Sequence, residues 1–216
     1  MLKKKVKASA ITNLTDARYF AAWEVEWMGF NLSPGEDTFI SPTEVLAIKE
    51  WVEGPNIVGE FSLSSAEEIE LLARDLELHA IQVGMATPLE TLLELETTLP
   101  IIKEVVVEKG MTAANLESLM QDFAPQVQFF LLDFSKNGWV FQDWEQDAEI
   151  SRSFMQQLLG QYPVILAMDL SPEELEGILA ELPLAGLALR GGAEEKVGYK
   201  SYDELDEVLE ELEELI

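Results

Sequence analysis

The 216-residue sequence contains no cysteine and a single histidine, His79. The absence of cysteine excludes disulfides, thiolate zinc sites and cysteine nucleophiles, so any chemistry must use carboxylates, hydroxyls, Lys, Arg or that one imidazole. No stretch reaches eighteen consecutive apolar residues, and no apolar signal region follows the N-terminal lysines. We therefore expect neither a membrane span nor secretion, and the expected location is the cytoplasm.

Basic residues are also few. Fourteen Lys and Arg stand against forty-one Asp and Glu, which gives a formal net charge of −27. Such a chain would repel a phosphate backbone, so nucleic acid is not expected as a partner. Most of the excess acid is expected on solvated outer helix faces, and adaptation to high salt is the alternative explanation. The same charge opposes small anionic ligands unless a local positive site offsets it.

What the sequence does contain is an alternation of short apolar runs with helical patterns, which is typical of a parallel sheet covered by crossover helices. The predicted strands span residues 6–10, 27–32, 56–61, 80–83, 101–107, 129–133, 163–167 and 186–189. The predicted helices span residues 14–24, 42–52, 65–76, 88–97, 112–123, 147–160, 172–181 and 202–215. Helix-start signals such as Ser41-Pro42 before Glu44 and Ser171-Pro172 before two glutamates support these positions.

Eight β/α units in one chain of this length predict a single-domain (β/α)8 TIM barrel over residues 1–216. The competing doubly wound sheet is disfavoured, because neither a GxGxxG nor a Walker loop follows the first strand. In such a barrel the active site lies at the carboxyl ends of the strands. The polar residues at or just past those ends form the candidate site: Ser9, Asn31, Glu60, Gln82, Asp133, Asp169 and Arg190.

Asp133 stands out among these residues because it closes the apolar run FFLLD, where a carboxylate is costly unless it is hydrogen-bonded or transfers protons. Asp133 and Asp169 end neighbouring strands and together resemble part of a divalent metal site, but no third oxygen ligand is evident. We therefore predict no metal and no cofactor. Trp139 and Trp144, which follow the sixth strand, are expected either in the core or as a lid over a pocket.

Several segments resemble the N-(5′-phosphoribosyl)anthranilate isomerase family, the (β/α)8 enzymes of tryptophan biosynthesis. The stretch VKASAITNLTDARYFAAW, residues 6–23, is similar to the family's first strand and turn, KICGITNLEDA. Looser similarity continues in GFNLSP with FISPTEV, in IVGEFSLSSAEEIELLARDLELHAIQV, in FFLLDFSKNGWVFQDW and in LRGGAEEKVGYK. The resemblance covers nearly the whole chain, and its first motif is the most specific.

The resemblance implies an Amadori rearrangement of a phosphorylated aminoaldose to an aminoketose, which needs a base and an acid. In the family a cysteine ending the first strand is the base and an aspartate ending the sixth strand is the acid. The matching positions are Ser9 and Asp133. A serine hydroxyl ionises too weakly to take a carbon-bound proton unaided, and loss of the base should cost on the order of 10² to 10⁴ in rate. Ser9 is then expected to fill the barrel mouth, hydrogen-bonded to Asp133.

The positions that hold the anionic substrate in the family also differ. The segment SKNG at 135–138 replaces a glycine-rich GGTG loop, and Met168-Asp169 replaces a GG pair. The family's SPR arginine falls within residues 34–38 (PGEDT), and its QLHG histidine falls at Val83-Gly84. A cation and N–H groups remain after the eighth strand, and a lysine in SKNG stands in for lost glycine amides. The candidate ligand-binding residues are Gln82, Lys136, Asp169, Arg190, Gly191 and Gly192.

Three functions remain open at this point, because a fold does not settle a function. The first is a divergent paralogue that has lost the isomerase reaction and binds another small molecule or a protein partner at the carboxyl face of the barrel. The second is an active isomerase in which Asp133 is the acid and Glu60 replaces the base. The third is a new enzyme that uses Asp133 and Asp169. In each case we expect a monomer or a homodimer.

Overall fold

A computed structural model of the chain describes residues 2–191, 194–196 and 199–213. Eight strands form a closed barrel in which successive strands pair in parallel and the eighth pairs with the first. The strands are β1 (Lys5–Ser9), β2 (Trp27–Asn31), β3 (Asn56–Phe61), β4 (Ala80–Val83), β5 (Ile101–Val106), β6 (Phe129–Asp133), β7 (Val164–Ala167) and β8 (Gly186–Arg190). The predicted (β/α)8 barrel is confirmed, and each strand lies within about one residue of its predicted bounds.

Helices connect the strands around the outside of the barrel. They are α1 (Leu14–Ala22), α2 (Pro42–Lys49), α3 (Ala66–Asp75), α4 (Leu89–Glu94), α5 (Ala113–Phe123), α6 (Asp143–Gln146), α7 (Arg152–Gln161), α8 (Pro172–Glu181) and α9 (Asp203–Leu212). A short antiparallel pair that the sequence did not predict, β9 (Glu194–Lys196) with β10 (Tyr199–Lys200), lies between β8 and α9. Among the described residues, no helix has both the length and the apolarity to cross a membrane.

The predicted helix starts coincide with side-chain caps. Ser41 caps α2 by accepting a hydrogen bond from the backbone N–H of Glu44, whose carboxylate in turn accepts one from the N–H of Ser41. Ser171 and Glu174 form the same reciprocal pair at the start of α8. Each cap satisfies backbone donors that would otherwise lack partners, which fixes where the helix begins.

Some predicted helix bounds are wrong. The helix expected at 147–160 begins only at Arg152, because the Asp147 carboxylate accepts hydrogen bonds from the N–H groups of Glu149 and Ile150 and holds a bend there. The helix expected at 42–52 ends at Lys49 and the one expected at 88–97 ends at Glu94. The last predicted helix extended to residue 215, but residues 214–216 lie outside the described part of the chain.

Two separate apolar cores sit on either side of the strands. A large core fills the space between strands and helices, and a smaller one lies inside the barrel. The inner core consists of Trp27, Val58, Ala80, Ile102, Leu131, Ile165, Ala167 and Ala188. Because side chains alternate along a strand, residues two positions further on face the same interior and reach its carboxyl end. Those positions hold the polar side chains Glu60, Gln82, Glu104, Asp133 and Arg190.

The tryptophans after β6 belong to the outer core. Trp139 and Trp144 are buried and pack edge-on against Phe134, with ring centroids 5.6 Å and 5.2 Å away. Phe134 follows Asp133 directly, so by alternation its ring points away from the barrel interior and draws both indoles outward. Neither indole lines the cavity at the carboxyl end of the barrel. The prediction that these two residues form a lid is therefore wrong, and the prediction that they pack in the core is confirmed.

Candidate ligand-binding site

A cavity of about 1230 Å³ opens at the carboxyl end of the barrel. The residues predicted from the sequence to form the site line it together: Ser9, Asn31, Glu60, Gln82, Asp133, Lys136, Asp169, Arg190 and Gly191. Gly192, the remaining predicted residue, lies outside the described part of the chain. The cavity is larger than most small-molecule sites, which measure about 300 to 1,000 Å³. The barrel therefore gathers the predicted side chains into one space large enough for a ligand, and their function stays a prediction.

A buried ion pair lies directly beneath Ser9. Lys7, whose side chain is 0% exposed, forms an ion pair with Glu60 and donates a second hydrogen bond to Ser9 Oγ at 2.8 Å. The other oxygen of Glu60 accepts a hydrogen bond from the backbone N–H of Ala10 at 3.2 Å. Gly29 leaves room for this pair, because a Cβ there would lie 2.8 Å from Lys7 Nζ and would collide with the Glu60 carboxylate.

This arrangement differs from the one expected for Ser9. Its hydroxyl accepts a hydrogen bond from the Lys7 ammonium, and within the described residues it makes no hydrogen bond to Asp133. Lys7 and Ser9 are two residues apart on one strand and so face the same interior. A lysine inside the apolar strand KVKAS was the signal that sequence reasoning missed.

Asp133 is held from three directions. One carboxylate oxygen accepts hydrogen bonds from Ser135 Oγ at 2.8 Å and from the Lys136 N–H at 2.9 Å. The other oxygen accepts a hydrogen bond from the Arg190 guanidinium at 3.1 Å and lies 3.7 Å from Lys136 Nζ. The residue is 2% exposed. These contacts explain how a carboxylate can end an apolar strand without being left unpaired.

Lys136 makes a second contact that the sequence did not predict. Its Nζ lies 2.5 Å from Glu104 Oε1, and the Glu104 side chain is 13% exposed and faces the barrel interior. Glu104 sits within the strand segment IIKEVV, where its place among apolar residues was the available signal. Lys136 and Arg190 are the two cations expected to bind an anionic ligand. Both are thus paired with carboxylates at the mouth of the barrel.

The loop after β8 lies against a carboxylate of α1. A Cβ on Gly191 would lie 2.7 Å from an Asp16 carboxylate oxygen, so the glycine permits this close approach. Tyr202 donates a hydrogen bond to Asp16, and its ring stacks on Tyr19 with centroids 4.1 Å apart. Burial, followed by the aspartate contacts, raises the pKa of both tyrosines well above its ordinary value. These contacts tie the start of α1 to α9 across the eighth loop.

Lys103 braces another edge of the cavity. Its side chain is 0% exposed, and Nζ donates hydrogen bonds to the carbonyls of Gly84, Met85 and Thr87 at 2.7, 3.2 and 2.9 Å. Burial, opposed by the neighbouring Glu104, lowers the pKa of Lys103 to about 8. This lysine points away from the barrel interior and fixes the loop that follows β4, whose residues Gly84 and Met85 line the cavity. Sequence reasoning assigned no role to Lys103.

The acidic side chains at the mouth do not converge as metal ligands. Among the residues that the structure describes, no group of three or more His, Asp or Glu side chains is placed to hold a metal ion. Asp169 lines the cavity, but it is exposed and has no ion pair or hydrogen bond with another described side chain. His79 lies outside the cavity, where its Nδ1 accepts a hydrogen bond from the Ile57 N–H at 3.0 Å.

Comparisons with known proteins agree on one family. The family profile described as "N-(5'phosphoribosyl)anthranilate (PRA) isomerase" matches residues 6–211. Among curated relatives, N-(5'-phosphoribosyl)anthranilate isomerase of Gloeothece citriformis is 26% identical over 218 residues, covering 96% of this chain and 93% of that protein. The corresponding protein of Dehalococcoides mccartyi is 28% identical over 160 residues, covering 68% and 67%.

Solved structures give the same result. The phosphoribosyl anthranilate isomerase of Thermus thermophilus is 29% identical, covers 96% of this chain and 98% of its own, and superposes with a TM-score of 0.74. That of Thermotoga maritima shares the fold at 22% identity with a TM-score of 0.76, covering 97% and 98%. The profile match spans nearly all of the barrel, and the Gloeothece citriformis relative is similar over the same length. The chain therefore belongs to the N-(5′-phosphoribosyl)anthranilate isomerase family.

Proposed function

We propose that this barrel has lost the isomerase reaction of its family and binds a different small molecule at its carboxyl end. The observation that carries the proposal is the environment of Ser9, the residue at the position of the family's base. Its hydroxyl accepts a hydrogen bond from the Lys7 ammonium, and Lys7 is itself paired with Glu60. The Lys7 ammonium has no free lone pair and cannot take the hydroxyl proton, so it does not supply the neighbouring base that activates a serine.

Glu60 is a poor replacement for the missing base. One of its oxygens is paired with Lys7 and the other accepts a hydrogen bond from the Ala10 N–H. A general base must present a free lone pair within hydrogen-bonding distance of the proton that it removes. Each oxygen keeps a second lone pair, but turning the carboxylate towards a bound ligand would break the buried contact with Lys7 and leave an ammonium unpaired inside the barrel.

The mouth also suits the family's substrate badly. One solved family structure, 22% identical to this chain, is described as a complex with reduced 1-(o-carboxyphenylamino)-1-deoxyribulose 5-phosphate, whose name includes a carboxyl and a phosphate group. In this chain Lys136 and Arg190 are already engaged by Glu104 and Asp133, and Asp169 adds a further negative charge. Each lost charge-assisted contact is worth roughly 1.5 to 3 kcal/mol, so losing two or three removes most of a micromolar affinity.

An active isomerase is the second candidate. It is favoured by one observation, which is that Ser9 and Asp133 line the same cavity at the ends of β1 and β6. In that case Asp133 would act as the acid, and the base would have to be recruited from the Lys7, Ser9 and Glu60 group.

Turnover separates the two candidates. The purified protein is assayed with N-(5′-phosphoribosyl)anthranilate beside the Thermus thermophilus relative as a positive control, and both genes are tested for growth of a tryptophan auxotroph that lacks the isomerase. We expect no growth and no turnover above background from this chain. Turnover at roughly 1 to 10³ per second, the usual range for enzymes, would overturn the proposed loss.

The reduced product analogue supplies a direct binding test. We expect it to raise the melting temperature of the relative and to leave that of this chain unchanged, because a ligand of the folded state stabilises it by an amount that grows with the logarithm of the ligand concentration over its Kd. A large upward shift for this chain would show that the family's anion site is intact.

A further inference from the structure

The cavity is strongly acidic. In the described part of the chain, eight carboxylates line it against two cations, Lys136 and Arg190. Three of the carboxylates, those of Glu60, Glu104 and Asp133, are paired with Lys7, Lys136 and Arg190. The others lie exposed at the rim and form no ion pair with any described residue: Glu36, Asp37, Asp169, Asp203 and Glu204. A concave rim of one sign concentrates small ions of the opposite sign.

Gln82 supplies an independent feature at the bottom of the same cavity. Its side chain lies on the inward face of β4, is 6% exposed and contributes to the cavity lining. Its Oε1 is buried and has no hydrogen-bond partner in the described structure. A buried amide oxygen without a donor is unfavourable, so a ligand N–H or O–H group that enters the floor of the cavity would supply the missing donor.

From these two features we infer that the ligand of this mouth is a small organic cation with N–H donors, such as a primary amine or polyamine. The inference rests on the proposed function, because it names the ligand class of that same site. The ammonium meets the field of the rim carboxylates, and an N–H group reaches Gln82 Oε1. A neutral polyol would satisfy only Gln82, and a phosphate ester would meet repulsion at the rim.

Isothermal titration calorimetry on the full chain tests which class of ligand binds in the cavity. The cationic probes are spermidine and 1,4-diaminobutane, ribose is the neutral probe, and ribose 5-phosphate is the anionic probe. Titrations are repeated at ionic strengths of about 0.01 M and 1 M, where the Debye length falls from about 30 Å to about 3 Å. We expect the amines to bind and the affinity to fall with salt, while the sugar and its phosphate bind more weakly or not at all.

Variants then separate the two features. Gln82→Met keeps the length of the side chain without its acceptor, and we expect it to weaken amine binding about tenfold. The double variant Glu36→Gln with Asp37→Asn removes two exposed rim charges and keeps an oxygen at position 36 to accept the hydrogen bond from Asn31, and we expect weaker binding with a smaller salt dependence. The control, Asp122→Asn with Glu210→Gln, makes the same change of net charge at exposed positions outside the cavity and should leave binding unchanged.

Several outcomes would overturn the inference. These are no amine binding at millimolar concentration, tighter binding of ribose or ribose 5-phosphate than of either amine, and equal losses in the rim variant and its control. None of these outcomes bears on the proposed loss of isomerase activity, which is tested separately by turnover of the phosphorylated substrate. Turnover, in contrast, would overturn the proposed function whatever the amines do.

Discussion

Lys7 and Glu60 form an ion pair inside the barrel although 53 residues separate them in the chain. The pair lies under Ser9, and the contact with the Ala10 N–H extends it to the first residue after β1. The barrel thus places a charged, fully engaged cluster where the family resemblance implies a proton-abstracting group.

Removing one member of the Lys7–Glu60 pair should destabilise the protein strongly. Lys7→Met leaves the Glu60 carboxylate buried without its cation, and we expect a loss of about 3 to 5 kcal/mol in the free energy of unfolding. Urea denaturation measures it. Lys5→Met on the same strand is the control, because Lys5 pairs with Glu26 at the surface and its loss should cost no more than about 1 kcal/mol. Adding Glu60→Met to Lys7→Met should recover much of the loss, and equal costs for the two single lysine variants would refute the buried pair.

Gly29 should be required for the same pair. Gly29→Ala places a Cβ against both the Glu60 carboxylate and Lys7 Nζ, and we expect it to cost about 1 to 3 kcal/mol. Gly177→Ala is the matched control, because Gly177 lies within α8 and nothing approaches its Cβ position within 4 Å. That change should stabilise the protein by about 0.5 to 1 kcal/mol, since alanine is the better helix residue. Thermal denaturation of both variants checks the opposite signs.

A thiol at position 9 should not restore the isomerase reaction by itself. A base alone contributes about 10² to 10⁴ in rate, but the acidic mouth still repels the phosphorylated substrate. We therefore expect kcat/KM of Ser9→Cys for N-(5′-phosphoribosyl)anthranilate to stay at least about a hundredfold below that of the Thermus thermophilus relative, because the new base leaves the lost substrate contacts unrepaired. Ser9→Ala serves as the control that changes the hydroxyl without adding a thiol. An activity of Ser9→Cys equal to that of the relative would mean that the substrate site is intact and only the base is missing.

Lys103 should make stability rise with pH in the mildly alkaline range. Its pKa is about 8 in the folded protein and about 10.4 when unfolded, so between these values the unfolded chain binds one more proton. The free energy of unfolding should therefore increase from pH 8 towards pH 10, by at most about 3 kcal/mol. Above pH 10 the trend should reverse, because Tyr19 and Tyr202 ionise in the unfolded chain while their folded pKa values are raised.

Lys103→Met tests the assignment of that slope. The variant loses three hydrogen bonds to the loop after β4 and will be less stable at every pH, so the informative quantity is the change between pH 8 and pH 9.5. We expect this change to be flatter in Lys103→Met than in the unaltered chain when both are measured by urea denaturation. A parallel pair of curves would show that Lys103 keeps its proton throughout.

Local chemistry determined most of the barrel from the sequence alone. Eight β/α units were predicted from the short apolar runs, their spacing, and helix caps such as Ser41 and Ser171. Each of these signals depends on neighbours a few residues away. The helix predicted at 147–160 begins later than expected because of another local contact, the bend held by Asp147. The composition of that segment did not indicate the bend.

Tertiary structure alone decided which charges meet. The sequence placed Ser9, Glu60, Asp133 and Arg190 at strand ends. In the structure Glu60 pairs with Lys7, 53 positions away, and Arg190 pairs with Asp133, 57 positions away. Closure of the barrel sets these distances, since it brings β8 beside β1 and turns one side chain in two towards a common axis. A charge inside a low-dielectric interior is stable only with a partner, and the identity of that partner depends on the closed geometry instead of on any nearby stretch of sequence.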